Sequence, residues 1–281
     1  MAATPRHPTR AHGGKKGHAT MASQADRHVL YEDSVQCVEA EIDFIDETFK
    51  TLRNRKAKLL REDFCGTANT SCEWVRRRKR SRAFGVDLDA EVQQWGRKHH
   101  LSKLGEAEKH VTLLNDDVLE VKTEPVDIVL AMNFSYWIFK DRALLGRYFR
   151  NVYEGLVDDG VFFLDAYGGS DAYKEMRERT KYDDFTYIWQ QASFDPISAD
   201  MVCKIHFSFP DGSRMRNAFT YEWRLWTLPE IREILLEAGF KRVTVYWQGD
   251  DEDSDEGNGE FEPAERGEAD EAWIVYISAE K

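Results

Sequence analysis

Acidic side chains stand at three points where a short apolar segment of the chain ends. Glu62, Asp87 and Asp117 follow such segments. A carboxylate in this position accepts hydrogen bonds from paired ribose hydroxyls or from an exocyclic amino group. The turn after Glu62 includes Cys65-Gly66-Thr67-Ala68, small residues that let a ligand approach the backbone and the amino end of the next helix. Together these features predict a nucleoside-binding site.

The elements that must position these acids alternate between strands and helices. Strands are predicted at 58–62, 83–86, 111–114, 126–132 and 161–164, and helices at 33–52, 68–78, 90–101 and 141–156. This alternation is typical of a parallel sheet with helices on both faces. Because the carboxyl ends of parallel strands meet at one edge of the sheet, the three acids are expected to share that edge.

The pattern changes after the fifth strand, whose end carries Asp165 and Tyr167 facing the predicted site. Three antiparallel strands are predicted at 182–189, 201–209 and 213–223, with a hairpin turn at 210–213. They belong to an insert at 167–226 that is expected to cover the substrate. A helix at 228–239 and two strands at 240–247 and 273–278 follow.

Two segments lack the apolar residues that a folded core requires. Residues 1–28 contain no Leu, Ile, Val or aromatic side chain and are predicted to form a disordered tail, which leaves 29–281 as a single domain. Residues 250–271 contain twelve acidic side chains and one basic side chain. This segment is predicted to form an acidic mobile loop.

Composition excludes several classes of protein. With 281 residues and 42% hydrophobic side chains, the chain has enough apolar material for a core, so a wholly disordered protein is excluded. No apolar stretch approaches the roughly 20 residues that span a bilayer, so no membrane partner is expected.

The net charge of −12 lies almost entirely in residues 250–271. The six basic residues at 76–82 are expected to be a solvated helix end, and without a broad basic face a nucleic-acid partner is not expected.

The cysteines argue for reduced thiols. The chain has four of them, Cys37, Cys65, Cys72 and Cys203, and none forms a C-x-x-C pair. A structural zinc site and a disulfide framework are both disfavoured by this number and spacing, so no metal site is predicted. The expected location is cytoplasmic.

The segment from Glu62 to Ala68 resembles the first motif of class I S-adenosylmethionine-dependent methyltransferases. That motif runs acid, any residue, Gly, Cys, Gly, Thr, Gly, and the chain matches it at Glu62 and at Cys65-Gly66-Thr67, with Phe64 and Ala68 where glycines are usual. The resemblance covers about residues 31–278. It implies a Rossmann-like, seven-stranded, mostly parallel sheet with helices on both faces, a reversed last-strand hairpin and an antiparallel β insert after strand five.

The resemblance also implies which residues bind the cofactor, S-adenosyl-L-methionine. Glu62 is expected near the methionine amino group, Asp87 on the ribose, and Asp117 on the adenine amino group. The complete implied set is Glu62, Cys65, Gly66, Thr67, Asp87, Leu88, Asp117, Val118 and Asn133. A nicotinamide-binding Rossmann fold is the main competitor, but it requires G-x-G-x-x-G and only Gly66 is present.

The acceptor is expected to be a small polar metabolite. Amino methyltransferases of nucleic acids follow the Asn of the fourth strand with Pro-Pro, whereas Asn133 is followed by Phe134-Ser135. The insert loosely resembles small-molecule N-methyltransferases, including the glycine and sarcosine enzymes. Candidate acceptor residues are Tyr136, Trp137, Tyr167, His206, Tyr221 and Arg224.

Two of these candidates have specific predicted roles. Arg224 is a candidate for bidentate binding of a carboxylate, and His206 is a candidate base. For Arg224 the alternative is a partly buried arginine stacked between rings, and for His206 a structural histidine. Two alternative functions stay open: methyl transfer to protein or RNA, and a catalytically silent adenosylmethionine-binding scaffold.

Overall fold

The computed structural model describes residues 19–250 and 257–281. Within these residues the strands are β1 (Leu59–Asp63), β2 (Arg82–Asp87), β3 (Val111–Asn115), β4 (Val126–Ala131), β5 (Leu156–Gly168), β6 (Met176–Lys181), β7 (Thr186–Phe194), β8 (Asp200–Ser208), β9 (Arg214–Arg224), β10 (Arg242–Asp250), β11 (Gly257–Ala264) and β12 (Trp273–Glu280).

The helices of the same residues are α1 (Met21–Gln24), α2 (Arg27–Val35), α3 (Val38–Arg53), α4 (Asn69–Arg76), α5 (Ala90–His99), α6 (Arg142–Gly155) and α7 (Leu228–Ala238). Short 3-10 helices lie at Leu101–Lys103, Gly105–His110, Ser135–Ile138 and Ser170–Tyr173. Among the described helices, none combines the length and the apolar character that a bilayer crossing requires.

The larger sheet has eight strands in the order β11-β10-β12-β5-β4-β1-β2-β3. The five strands β1 to β5 are parallel, and β12 runs antiparallel between β5 and β10. The mostly parallel sheet and the reversed final pair therefore agree with the prediction. The strand count was predicted as seven, and the additional strand is β11 on the outer edge of β10.

Strand β11 lies inside the segment that was predicted to be an acidic mobile loop. Its Phe261 is half-buried and stacks on Tyr276, with ring centroids 4.1 Å apart. This aromatic contact and the pairing with β10 hold residues 257–264 to the sheet, while acidic neighbours such as Glu260 and Glu262 stay exposed. The loop prediction is thus wrong for this part, and residues 251–256 lie outside the described residues.

Helices cover both faces of the larger sheet because successive strand residues point to opposite sides. Phe162 and Leu164 of β5 belong to the core that contains α6 and α7. Val161 and Phe163 of the same strand belong to the core that contains α3 and α4. The sheet therefore holds the carboxyl ends of its strands rigidly between two apolar layers.

A second, antiparallel sheet follows β5 in the order β6-β7-β8-β9. Sequence analysis identified three of these strands but not β6. That strand reads Met-Arg-Glu-Arg-Thr-Lys, lies at the sheet edge and is almost entirely exposed, so no apolar alternation marks it. Pairing with β7 alone determines its structure.

The amino-terminal prediction also needs correction, because residues 21–35 form α1 and α2. The amides of Met21 and Ala22 donate to Asp211 (2.8 Å) and Ser213 (3.0 Å) in the turn between β8 and β9. Apolar residues also anchor this segment, since Leu30 is buried in a core with residues of the smaller sheet. Most of these apolar residues lie after residue 28, which explains why composition indicated a tail through residue 28. Residues 1–18 lie outside the described residues. The helix predicted at 33–52 is divided into α2 and α3.

Candidate functional site

A cavity of about 600 Å³ opens at the carboxyl ends of β1, β2 and β4. We call it the strand-end cavity. Its lining includes Glu62, Cys65, Gly66, Thr67, Asp87 and Asn133 from the set implied by the cofactor resemblance. The parallel topology brings these residues together from segments that are far apart in sequence.

The loop between β1 and α4 has an unusual backbone. Phe64, Gly66 and Ala68 all have positive φ, at 59°, 50° and 58°. Phe64 and Ala68 occupy positions where the methyltransferase motif usually has glycine, and they retain the left-handed conformation that glycine adopts freely. Each such L-residue costs roughly 1–2 kcal/mol. The substitutions therefore leave the loop conformation in place at an energetic cost.

Gly66 leaves its side of the loop open. A Cβ built there would have Val92 as its nearest neighbour, at 3.9 Å. The Gly66 amide donates to Asp87 Oδ2 (2.8 Å), and the Asp89 amide donates to Oδ1 of the same carboxylate (2.8 Å). Burial raises the pKa of Asp87. Because a carboxylate offers about four lone-pair sites, the Asp87 carboxylate has capacity for further donors.

Glu62 is buried below the amino end of α4. Its Oε2 accepts from the Ser71 amide (2.9 Å) and the Ser71 hydroxyl (2.5 Å). Burial raises the pKa of Glu62 to about 7 despite these hydrogen bonds. The carboxyl group thus fixes α4 to β1 and also contributes to the wall of the strand-end cavity.

Three residues of the implied set do not line this cavity. Leu88 is 68% exposed, Val118 is buried in the core, and the Asp117 side chain accepts from the Leu119 amide. They follow β2 and β3, which are neighbours in the sheet. The structure therefore places them at the expected edge but outside the lining.

The segment α1–α2, which we call the strap, covers one side of the strand-end cavity. Its Arg27, His28 and Tyr31 line the cavity. Glu32 of the strap accepts from the Thr67 hydroxyl (2.5 Å) and contacts His100 Nε2 (2.7 Å). The sequence did not reveal these lining residues, because residues 1–28 were predicted to form a disordered tail and Tyr31 was given no role.

A second cavity of about 380 Å³ lies between the end of β5 and the smaller sheet. We call it the aromatic cavity. Its walls include Phe134, Tyr167, Tyr187, Trp189, Tyr221 and Trp273. Asp171 and Glu178 also line it, and the Asp171 carboxylate is paired with Lys174 (2.6 Å). This composition suits a ring-bearing or cationic molecule.

The two cavities meet. Four residues line both of them: Tyr31, Asn133, Tyr221 and Trp223. Tyr31 and Tyr221 are half-buried, and burial raises the pKa of both phenols far above the ordinary value. Their hydroxyls therefore remain protonated at neutral pH.

The turn after β4 stands at this junction. Asn133 and Phe134 are consecutive left-handed residues, with φ of 58° and 56°. Asp165 of β5 accepts hydrogen bonds from both of their amides, at 2.8 and 2.9 Å. Burial raises the pKa of Asp165 to about 7. Sequence analysis placed Asp165 at the site but assigned it no role, because hydrogen bonds to backbone amides leave no sequence pattern.

The other predicted acceptor residues divide into two groups. Tyr167 and Tyr221 line the aromatic cavity. Tyr136 and Trp137 are completely buried, and the Tyr136 hydroxyl donates to the Asp165 carbonyl (2.8 Å). The second pair therefore belongs to the core instead of the cavity wall.

The structure corrects the role predicted for Arg224. Its guanidinium lies 3.8 Å from the centroid of the Trp226 ring and donates to Glu230 (3.0 Å) and the Lys140 carbonyl (3.1 Å). It lines neither cavity. The alternative of a partly buried, stacked arginine agrees with this environment.

The structure also corrects the role predicted for His206. Its Nδ1 accepts from the Asn217 amide (2.9 Å), so its Nε2 carries the proton that contacts Gln190 (3.0 Å). The ring lines neither of the two cavities. Both nitrogens are therefore occupied by structural hydrogen bonds between strands.

No protein-family model matches the chain, and no curated protein matches it. Solved structures do match. An S-adenosylmethionine-dependent methyltransferase from Clostridium acetobutylicum has 18% identity and a TM-score of 0.65, with 89% of this chain and 96% of the other covered. CalS10, an amino pentose methyltransferase from Micromonospora echinaspora solved with bound cofactor, has 12% identity and a TM-score of 0.63, with 90% and 96% covered.

A third match covers more of the chain. The sugar N-methyltransferase KedS8 from a Streptoalloteichus species has 16% identity and a TM-score of 0.59, with 98% of both chains covered. At such low identity these likenesses show the fold. The chain therefore has the fold of S-adenosylmethionine-dependent methyltransferases, as the sequence resemblance predicted.

Proposed function

We propose that this protein transfers the methyl group of S-adenosylmethionine to a small polar molecule. The observation that carries the proposal is the meeting of the strand-end cavity and the aromatic cavity at Asn133. A methyl donor in the first cavity and an acceptor in the second would face each other at this junction. The fold shared with known methyltransferases supports this arrangement.

The strand-end cavity fits the proposed cofactor. Its volume of about 600 Å³ lies within the range of roughly 300–1,000 Å³ that is usual for small-molecule sites. Asp87 would hold the ribose hydroxyls through its remaining lone pairs, and the open side of Gly66 would let the ligand pass close to the backbone. Glu62 would lie toward the amino acid end of the ligand.

The chain needs to supply little bond chemistry. Adenosylmethionine, when bound, would supply an activated methyl group, because its sulfonium is a good leaving group for attack by an acceptor lone pair. The residues at the junction would align the acceptor and exclude water. A general base is required only for an acceptor that arrives protonated. No residue is assigned that role.

The aromatic cavity favours a small acceptor with a ring or an amine. Its rings offer stacking and cation–π contacts, and Glu178 adds a negative charge, whereas the Asp171 carboxylate is paired with Lys174. The names of two matched structures refer to an amino pentose and to sugar N-methylation, which supports the same class for this chain. An acidic acceptor is disfavoured because Arg224, the candidate partner for a carboxylate, lies elsewhere.

Incubation with methyl-labelled adenosylmethionine and a fractionated cell extract tests this function. Label is expected in the small-molecule fraction with the wild-type protein, and Asp87→Ala should lower its amount when adenosylmethionine is below saturation. Label in RNA or protein would overturn the proposed acceptor class. Bound cofactor without transfer to any fraction would indicate the silent scaffold.

A further inference from the structure

The turn at Asn133-Phe134 has a backbone that needs external support. Two consecutive residues with side chains adopt positive φ, and the apolar Phe134 side chain cannot form the local hydrogen bond by which an asparagine or aspartate side chain favours this region. Such conformations persist when the surrounding structure determines them. A group outside the turn must therefore hold it in this conformation.

Asp165 is positioned to do so. Its Oδ2 accepts from the Asn133 amide and its Oδ1 from the Phe134 amide, so each carboxylate oxygen fixes one residue of the turn. The carboxylate projects from the middle of the sheet, since β5 pairs with β4 on one side and with β12 on the other. The Tyr136 hydroxyl further fixes the Asp165 backbone.

The Asn133-Phe134 turn shapes both cavities. Asn133 lines the strand-end cavity and the aromatic cavity, and Phe134 lines the aromatic cavity. The Phe134 ring lies against Tyr167, with centroids 4.7 Å apart. A displacement of the turn would therefore move the wall against which donor and acceptor are aligned.

We propose that Asp165 is a positioning residue: its two hydrogen bonds hold the Asn133-Phe134 turn in the conformation that aligns the acceptor with the methyl donor. The alignment of donor and acceptor rests on the proposed function. The hydrogen bonding of the turn by Asp165 does not. Both amides donate, so the anchor must accept at both of its atoms. A carboxylate meets this requirement. The carboxamide of asparagine does not, because its NH2 group would face one of the amide N–H groups.

Asp165→Asn is the direct test, with Glu41→Gln as the matched control. Glu41 is another buried carboxyl group with a pKa raised to about 7, but it lies on α3 and lines neither cavity. Three quantities are measured for each variant: hydrogen exchange of the Asn133 and Phe134 amides, the Kd for adenosylhomocysteine, and kcat and KM for methyl transfer.

Asp165→Asn loses one of the two bonds, and its NH2 group repels the amide that it faces, so the whole turn is held less firmly. Exchange of both amides should therefore speed up and kcat should fall, each on the order of tenfold to a hundredfold. Adenosylhomocysteine affinity should change less than kcat, because Asp87 and Gly66 do not depend on the turn. The comparison is made above the titration range of both carboxyl groups, because Glu41 raises the pKa of Asp165. There Glu41→Gln should leave amide exchange and kcat unchanged. Normal exchange and normal kcat in folded Asp165→Asn would overturn the proposal, as would an equal effect of Glu41→Gln.

A measurement on the unmodified protein covers the case in which Asp165→Asn does not fold. Protonation of Asp165 weakens the anchor, so protection of the two amides should fall as pH decreases through about 7. The ionisable groups coupled to this carboxyl are Glu41 on α3 and the phenols of Tyr31 on α2, Tyr136 and Tyr276. Protection independent of pH, corrected for intrinsic exchange, would contradict the proposal. If the wild type does not bind adenosylhomocysteine, the proposed function is wrong. The hydrogen exchange of the two amides still tests whether Asp165 holds the turn.

Discussion

Asp87 joins the loop after β1 to the end of β2 through its hydrogen bonds to the Gly66 and Asp89 amides. In the proposed complex the same carboxylate also receives the ribose hydroxyls. Asp87→Ala should therefore weaken adenosylhomocysteine binding by about 1–3 kcal/mol, as measured by calorimetry. Glu91→Gln, which removes an exposed carboxylate from the nearby α5, is the control and should bind normally.

Thermal unfolding separates this effect from damage to the loop. If folded Asp87→Ala binds adenosylhomocysteine as tightly as the wild type, Asp87 does not hold the ribose. If both variants bind equally weakly, the effect is one of general surface charge.

Substitution of Arg224 is predicted to affect stability and not ligand binding. Arg224→Lys loses the planar contact with Trp226 and one of two hydrogen bonds, so the free energy of unfolding should fall by about 1–2 kcal/mol. The Kd for adenosylhomocysteine and the KM for the acceptor should stay the same, since Arg224 lines neither cavity. A strong rise in KM at unchanged stability would restore its predicted role in carboxylate binding.

These residues show how far single positions can be interpreted from the sequence. Asp87 was identifiable because the end of a parallel strand determines where its side chain lies. The role of Arg224 was not identifiable, because the residues beside it in sequence do not reveal that Glu230, in the first turn of α7, pairs with it. The positive φ of Phe64 was equally hidden, since nothing local favours it.

Helix α5 approaches the cofactor loop through a glycine. A Cβ at Gly96 would lie 2.1 Å from the Thr67 carbonyl oxygen, a backbone atom that cannot easily move. Gly96→Ala should push α5 away from the loop, lower stability by about 1–3 kcal/mol and weaken adenosylhomocysteine binding. Differential scanning calorimetry and ligand titration measure the two effects.

Gly146 provides the matched control within a different helix. A Cβ there would meet Arg150 Nη1 at 3.4 Å, the mobile end of a side chain. Gly146→Ala should therefore be neutral or stabilise α6 by up to about 1 kcal/mol through helix propensity. Equal destabilisation by both substitutions would show that the approach of α5 to the loop is not what makes Gly96 necessary.

At the level of elements, strong local patterns predicted the structure well. The end signals of α7 are an example: Thr227 and Glu230 form a capping box, and Gly239 ends the helix with φ of 116°. The elements that were missed, β6, β11 and α2, have weak local patterns and are held by partners distant in sequence. For α2 these partners include Trp95, whose indole donates to Asp26 (2.7 Å), the residue that caps α2.

The charge of the whole molecule is arranged locally. Residues of the basic run at 76–82 pair with acids: Arg77 with Glu73 of α4 itself and with Asp43 of α3, Arg78 with Asp46 of α3, and Arg82 with Glu124. These pairs agree with the interpretation of this run as a helix end and weaken its case as a nucleic-acid surface.

Three buried carboxyl groups give the molecule a distinctive pH dependence. Burial raises the pKa of Glu41, Glu62 and Asp165 to about 7, whereas in the unfolded chain they titrate near 4. Between these values the folded state holds more protons than the unfolded state. Each group therefore lowers stability as pH rises from about 4 to 7, and its effect is constant above that range.

The control variant isolates one of these contributions. The free energy of unfolding of the wild type should fall as pH rises from 4.5 to 7.5. In Glu41→Gln this fall should be smaller by up to roughly 3 kcal/mol, because one pKa unit corresponds to about 1.4 kcal/mol. Denaturant titrations at a series of pH values measure this difference. A variant and wild type with parallel pH profiles would show that Glu41 does not titrate in this range.

The central claim is that the strand-end cavity binds adenosylmethionine, and calorimetric titration of the full chain with adenosylhomocysteine tests it most directly. NAD serves as the comparison ligand, because a nicotinamide-binding site is the competing interpretation of a Rossmann-like sheet. Adenosylhomocysteine should bind at one molecule per chain, with an affinity that Asp87→Ala reduces, and NAD should give no binding heat. Binding of NAD in its place, or no binding of adenosylhomocysteine by folded protein, would contradict the account.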